Sequence, residues 1–200
     1  MAKKIIVIDR EYSSGGREVG KRLSEQLNIP LYDGALLLEA SRRFDYGLET
    51  IKSYDERIGS RWLDNIINAG AYMTDQTMGD PVYKVFKIME KTIVALAAEG
   101  PCIFMGRCAD HVLPSPTVLS VFIYASNIND AISRAVSIDQ ISENQANGYI
   151  AKVNKERSRY YRLFTGKEWG DKLNYDICLN TSALGFDVCA SIIKGLYLGK

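Results

Sequence analysis

The run Ile5-Ile6-Val7-Ile8 is followed within a few residues by Ser13-Ser14-Gly15-Gly16, and then by a charged segment carrying Val19, Leu23 and Leu27 at four-residue spacing. A β-branched run that ends in charged residues suits a buried parallel strand. Apolar residues at every fourth position suit one face of an amphipathic helix. A strand, a glycine turn and a helix in that order commit the chain to an α/β fold, because parallel strands need helical crossovers between them.

The rest of the chain continues the alternation. Further strands are expected at 29–32, 102–105, 118–124 and 177–179, and helices near 34–44, 60–69, 82–99, 129–138, 143–163 and 186–196. The expected architecture is a three-layer sandwich: a mainly parallel five-stranded sheet with helices on both faces. With 200 residues, 46% of them apolar, the chain can bury one sizeable core, so residues 1–200 read as one domain. The stretch 45–81 offers no strand and lies between core-like segments, which suggests a helical insertion with Gly and Asp-Pro breaks.

Lys plus Arg (25) and Asp plus Glu (24) nearly cancel, so no general field attracts a nucleic-acid backbone or an anionic membrane. Any basic site must be local. Cys102, Cys108, Cys178 and Cys189 have neither zinc-site spacing nor the density of a disulfide scaffold, and read as reduced, mostly buried thiols. The apolar runs are too short for a signal-peptide core or a bilayer span, and the expectation is a soluble, cytoplasmic protein without a membrane partner.

A Gly/Ser turn between strand and helix aims backbone N–H groups into a concavity, and the helix dipole adds to their attraction for phosphate. Residues 10–17 have that context. Laid on G-x-x-x-x-G-K-[ST], they put Arg10 at the first glycine, Gly15 at the second, Gly16 at the lysine and Arg17 at the hydroxyl residue that would bind magnesium. The lysine is missing, and Glu18 cannot take the hydroxyl's part. Arg17 could meet a phosphate bidentately, with Lys21 a weaker substitute. Read locally, Gly15 and Gly16 could equally make a tight turn with Arg17 and Glu18 solvated at a helix start.

The run from Asp9 to Glu18 resembles the S-R-E-Y-G-S-G-G-R-E opening of the cytidylate kinase-like family. Later segments agree in order: Ile29-Pro30-Leu31-Tyr32-Asp33, Gly106-Arg107-Cys108-Ala109-Asp110, Glu156-Arg157-Ser158-Arg159-Tyr160-Tyr161, the run from Phe164 to Asp171 and the run from Asn174 to Ser182. In that family the double glycine followed by arginine is the usual form. The resemblance implies a P-loop nucleoside-monophosphate-kinase fold, with 45–81 on the acceptor side and a helical lid at about 140–170.

It also implies roles. Ser13, Ser14, Gly15, Gly16, Arg17 and Glu18 would form the donor-phosphate site, with Arg17 in place of the lysine. Arg107, at the end of a central strand where ligands of open α/β sheets bind, would hold the acceptor together with Asp33, Asp110 and Arg134. Asp110 is also what a helix N-terminus favours. Arg157 and Arg159 would close over the phosphates from the lid, where Lys155 and Arg162 add to a basic run of which about two members touch ligand. Tyr160, Tyr161, Phe164 and Trp169 suit either core packing or base stacking. His111 has no nucleophile at a recognisable spacing and reads as structural; no metal-ligand set is legible.

The implied activity is transfer of the ATP γ-phosphoryl group to a nucleoside monophosphate such as CMP or dCMP, with Mg²⁺. The alternatives are a nucleotide-binding regulatory module without turnover and a kinase for a non-nucleotide acceptor. Partners would be small-molecule nucleotides and, at most, a second copy of the chain.

Overall fold

The computed structural model describes residues 4–33 and 81–200, with Leu36, Glu39, Arg42 and Arg43 between them. The expected helix at 60–69 and nearly all of the 45–81 insertion lie outside the described residues.

Five strands form one parallel sheet: β1 (Ile5–Arg10), β2 (Leu31–Tyr32), β3 (Cys102–Met105), β4 (Val118–Tyr124) and β5 (Ile177–Asn180), in the order β2-β3-β1-β4-β5. β1 is central, with Ile6 opposite Ile103 on one side and Leu119 on the other. Six helices are described: α1 (Gly16–Leu27), α2 (Pro81–Glu99), α3 (Ala109–Val112), α4 (Ile128–Asp139), α5 (Glu143–Thr165) and α6 (Thr181–Leu198).

The two-residue period of β1 divides the core. Ile5 and Val7 face the layer with α2, packing with Val85, Met89 and Ile93. Ile6 and Ile8 face the opposite layer, packing with Val19 and Leu23 of α1 and with Cys189, Ala190 and Ile193 of α6. This is the expected three-layer sandwich, all parallel among the described strands. The β-branched run is therefore sealed on both sides, and all four of its side chains are buried.

Sequence boundaries and structure differ most at the two ends of the sheet. The strand expected at 29–32 pairs only over Leu31–Tyr32, because Pro30 has no N–H for a ladder, although its carbonyl accepts from Ile103. The last helix begins at Thr181, breaks at Gly185 (φ 71°) and resumes at Phe186, where the apolar pattern had placed its start. By length and composition α6 could cross a membrane, yet its buried residues pack on α1 and the sheet. All four cysteines are free, and three are buried.

Candidate active site

β1 ends at the topological switch point: the chain runs from it through β2 and β3 on one side before crossing to β4 and β5 on the other, which opens a crevice at the carboxyl ends of the strands. The loop 11–15 sits there. Ser13 (φ 59°) and Gly15 (φ 87°) are left-handed, and Gly15 caps α1 without a capping side chain, so the first-turn amides are not taken up by one.

The loop is held from below. Ser14 is buried and donates to the carbonyls of Glu11 (2.9 Å) and Ile123 (3.2 Å), while Thr181 donates to the Ser14 carbonyl (2.6 Å). The Ser14 hydroxyl therefore serves the loop's own backbone. Phe186 lies under Gly15 so closely that a Cβ there would stand 2.3 Å from Cε1. The Arg134 guanidinium lies 4.5 Å from the centre of the same ring.

The loop is also held from above. Helix α5 lies across it: Asn154 Oδ1 accepts from the Tyr12 N–H (2.6 Å), and Arg157 Nη1 donates to the Arg10 carbonyl (2.8 Å). The Tyr12 hydroxyl donates to Asp139 (2.6 Å), and its ring meets Tyr149 edge-on at 5.3 Å.

Two adjoining cavities result. One, of about 360 Å³, opens over the loop and is lined among others by Ser13, Gly15, Gly16, Arg17, Lys21 and Arg134. The second, of about 280 Å³, is lined among others by Asp9, Arg107, Cys108, Tyr160, Tyr161 and Trp169. Arg10 and Arg157 border both.

Several expected residues meet here, in altered company. Arg107 reaches the second cavity through three consecutive left-handed residues, Gly106, Arg107 and Cys108, and packs against Tyr160 at 5.9 Å. Arg134 borders the loop cavity rather than that of Arg107. Asp33 lies beside the loop, with Oδ2 3.2 Å from Arg17 Nε and Oδ1 3.6 Å from Arg10 Nη2. Arg17 is 70% exposed, and Glu18 pairs with Arg22 at 2.9 Å. Arg157 enters both cavities, whereas Arg159, two residues on and so about 200° round the helix, borders neither. Asp110 lies behind the second cavity and accepts from the Tyr161 hydroxyl at 2.7 Å. Burial lifts its carboxyl to a pKa of about 6, and its Oδ1 has no hydrogen-bond partner. The aromatic cluster divides: Phe164 stacks on Phe86 at 3.9 Å in the core, while Tyr160, Tyr161 and Trp169 face the cavity.

Asp9 and Arg10 were missed as site residues. Asp9 is buried on the cavity floor, where Oδ2 accepts from the Tyr175 hydroxyl at 3.3 Å. Burial depresses the pKa of the Arg10 guanidinium, with Asp9 and Asp33 opposing that effect. Burial likewise brings the Arg157 guanidinium down to about 10, with repulsion from Arg10 adding to it. The signal available in the sequence was two adjacent charges continuing an otherwise apolar strand.

The fold has solved relatives. An uncharacterized protein from Eubacterium ventriosum superposes with a TM-score of 0.72 at 24% identity, over 99% of this chain and 100% of that one. Shikimate kinase from Bacteroides thetaiotaomicron gives 0.54 at 13% identity, over 96% of each chain. TT1252 from Thermus thermophilus gives 0.54 at 14%, over 100% of each. No curated protein matches the chain. The description of the cytidylate kinase-like family fits residues 5–183. Since the glycine loop, the Gly106-Arg107 turn and the arginine-bearing helix α5 all fall within that span, the chain belongs to the cytidylate kinase-like family.

Proposed function

We propose that the protein is a phosphotransferase that moves the terminal phosphoryl group of ATP to a nucleoside monophosphate such as CMP or dCMP. The observation that supports this most is the pair of adjoining cavities, one over a glycine loop and one beside Arg107, with Arg10 and Arg157 between them. A reaction of this kind needs positioning and charge neutralisation rather than a protein nucleophile.

In this reading the backbone of Ser13, Gly15 and Gly16 holds the donor phosphates, supported by Ser14, with Arg17 and Lys21 at the rim. Asp33 orients Arg17, Glu18 fixes the start of α1 through Arg22, and Arg134 on Phe186 borders the donor side. Arg107 takes the acceptor phosphate, and Tyr160 and Trp169 flank the acceptor's base. Asp110 positions Tyr161 beneath them. Arg157 closes the site from α5, within the lid region 140–170 of a single domain.

Among the described residues no three His, Cys, Asp or Glu side chains cluster as a metal site. Magnesium would come with the triphosphate, and Ser13 and Asp33 are among the oxygen-bearing residues lining the loop cavity that could hold it. It would supply charge neutralisation on the phosphates. A cytoplasmic setting, where nucleotides abound, fits four free thiols.

A second reading, a non-nucleotide hydroxyl acceptor, draws on the fold shared with shikimate kinase. ADP release from Mg-ATP, measured with CMP, dCMP, UMP, AMP and shikimate, separates the two. Saturable release with a nucleotide supports the first, and release with shikimate alone supports the second. Tight ATP binding without turnover would instead select a regulatory nucleotide-binding module.

A further inference from the structure

We infer that Arg10, at the position where the phosphate-loop motif has its first glycine, carries the positive charge that the missing lysine would supply at the transferring phosphoryl group. The inference rests on the phosphotransferase reading above and names a residue that the motif counts as a defect.

Three observations carry it. Arg10 rises from the carboxyl end of the central strand and borders both cavities, so its guanidinium stands where a phosphoryl group would cross. Arg157, which also borders both, already donates Nη1 to the Arg10 carbonyl and arrives from the roof, whereas Arg10 lies on the floor. Arg17, the motif's own candidate, is 70% exposed beside Asp33, while the Arg10 side chain is 18% exposed.

The surroundings keep a place for this side chain. A Cβ on Gly106 would stand 2.6 Å from Arg10 Nη1, and one on Gly16 would stand 2.6 Å from Arg10 Cβ. The two glycines thus clear the path of the arginine as well as making turns. Asp33 holds Nη2 at 3.6 Å, and Asp9 lies below. A desolvated cation held in this way acts more strongly on developing charge than one in water.

In the step itself, an oxygen of the acceptor phosphate forms a bond to the γ-phosphorus of ATP. The bond from that phosphorus to the β,γ-bridging oxygen breaks, and its electron pair leaves on ADP. A dianionic acceptor phosphate requires no proton transfer. Arg10 donates hydrogen bonds to the equatorial oxygens as their charge spreads.

The test compares wild type with Arg10→Met, Arg10→Lys and Arg17→Met, each first shown to fold by thermal unfolding. Acceptor-dependent ADP formation, acceptor-independent ADP formation in which water replaces the acceptor, and Mg-ATP binding are measured together. The expected result is a fall in kcat of about 10²–10³-fold for Arg10→Met, with the ATP KM changed far less. Arg10→Lys should recover part of the loss, and Arg17→Met should act mainly on KM. Wild-type turnover that survives Arg10→Met within about threefold would overturn the role of Arg10 alone. A wild type that binds Mg-ATP but forms no ADP, with or without acceptor, would overturn the phosphotransferase reading and this role together.

Discussion

Arg157 donates from Nη1 to the carbonyl oxygen of Arg10 at 2.8 Å, tying the middle of the 23-residue helix α5 to the last residue of the central strand. The contact makes the lid helix part of the phosphate loop's own support. Arg157→Met keeps much of the side-chain volume and removes this bond, and it should lower kcat by about 10²-fold. Steady-state kinetics with Mg-ATP and the best acceptor check this, and Arg157→Lys should recover only part because a lysine cannot bridge carbonyl and ligand in one plane.

Asn154→Ala should loosen the loop without touching any charge. The Tyr12 N–H loses its 2.6 Å partner and must find water or remain unsatisfied. A stability loss of about 1 kcal/mol is expected. Faster amide exchange at Tyr12 is the specific readout, and a Tyr12 amide as protected as in wild type would refute the assignment.

Gly15→Ala should be costly for two separable reasons. The residue sits at φ 87°, where a side chain is strained, and its Cβ would meet Phe186 Cε1 at 2.3 Å. Strain of about 1–2 kcal/mol and overpacking of a similar size are expected. Adding Phe186→Leu should relieve the second part only, so a double-mutant cycle in urea should show favourable coupling. Additive effects would mean that the ring does not limit the loop.

Asp110 makes stability depend on pH. Its folded pKa of about 6 lies above the ordinary aspartate value, so below the unfolded value both states hold the proton. As pH rises from about 4 to about 6 the unfolded chain gives up the proton first, and stability should fall by about 2 kcal/mol. Asp110→Asn should abolish that slope and be the more stable form above pH 6, with the two proteins converging near pH 4. Urea midpoints across this range provide the measurement, and parallel pH profiles for the two proteins would contradict the prediction.

The sheet was legible because its three inner strands, β1, β3 and β4, are apolar runs buried on both faces, and because Val19, Leu23 and Leu27 spell out one helical face. Gly185 was not legible as a kink, since a glycine within an apolar run is tolerated in a helix and also permits a break. At the site, Arg107 and Arg157 emerged from family likeness, and both border the cavity opposite the loop. Arg159 did not join them because the direction of a side chain on a helix changes by about 100° per residue, which a basic run does not display. Arg10 and Asp9 were overlooked for a related reason. A motif compares residue types at positions, whereas their importance comes from lying at the carboxyl end of β1, where both line the second cavity.

The fastenings of the phosphate loop also carry a consequence for biosynthesis. Thr181, which bonds the Ser14 carbonyl, is 167 residues away in sequence, and Phe186 beneath Gly15 comes later still. The first segment of the domain to leave the ribosome therefore waits for one of the last before its loop can take its final shape. At about 5–20 residues per second the interval is of order 10 seconds. During that time the apolar strand β1 has its neighbours to find, and side chains that the finished sheet buries stay exposed.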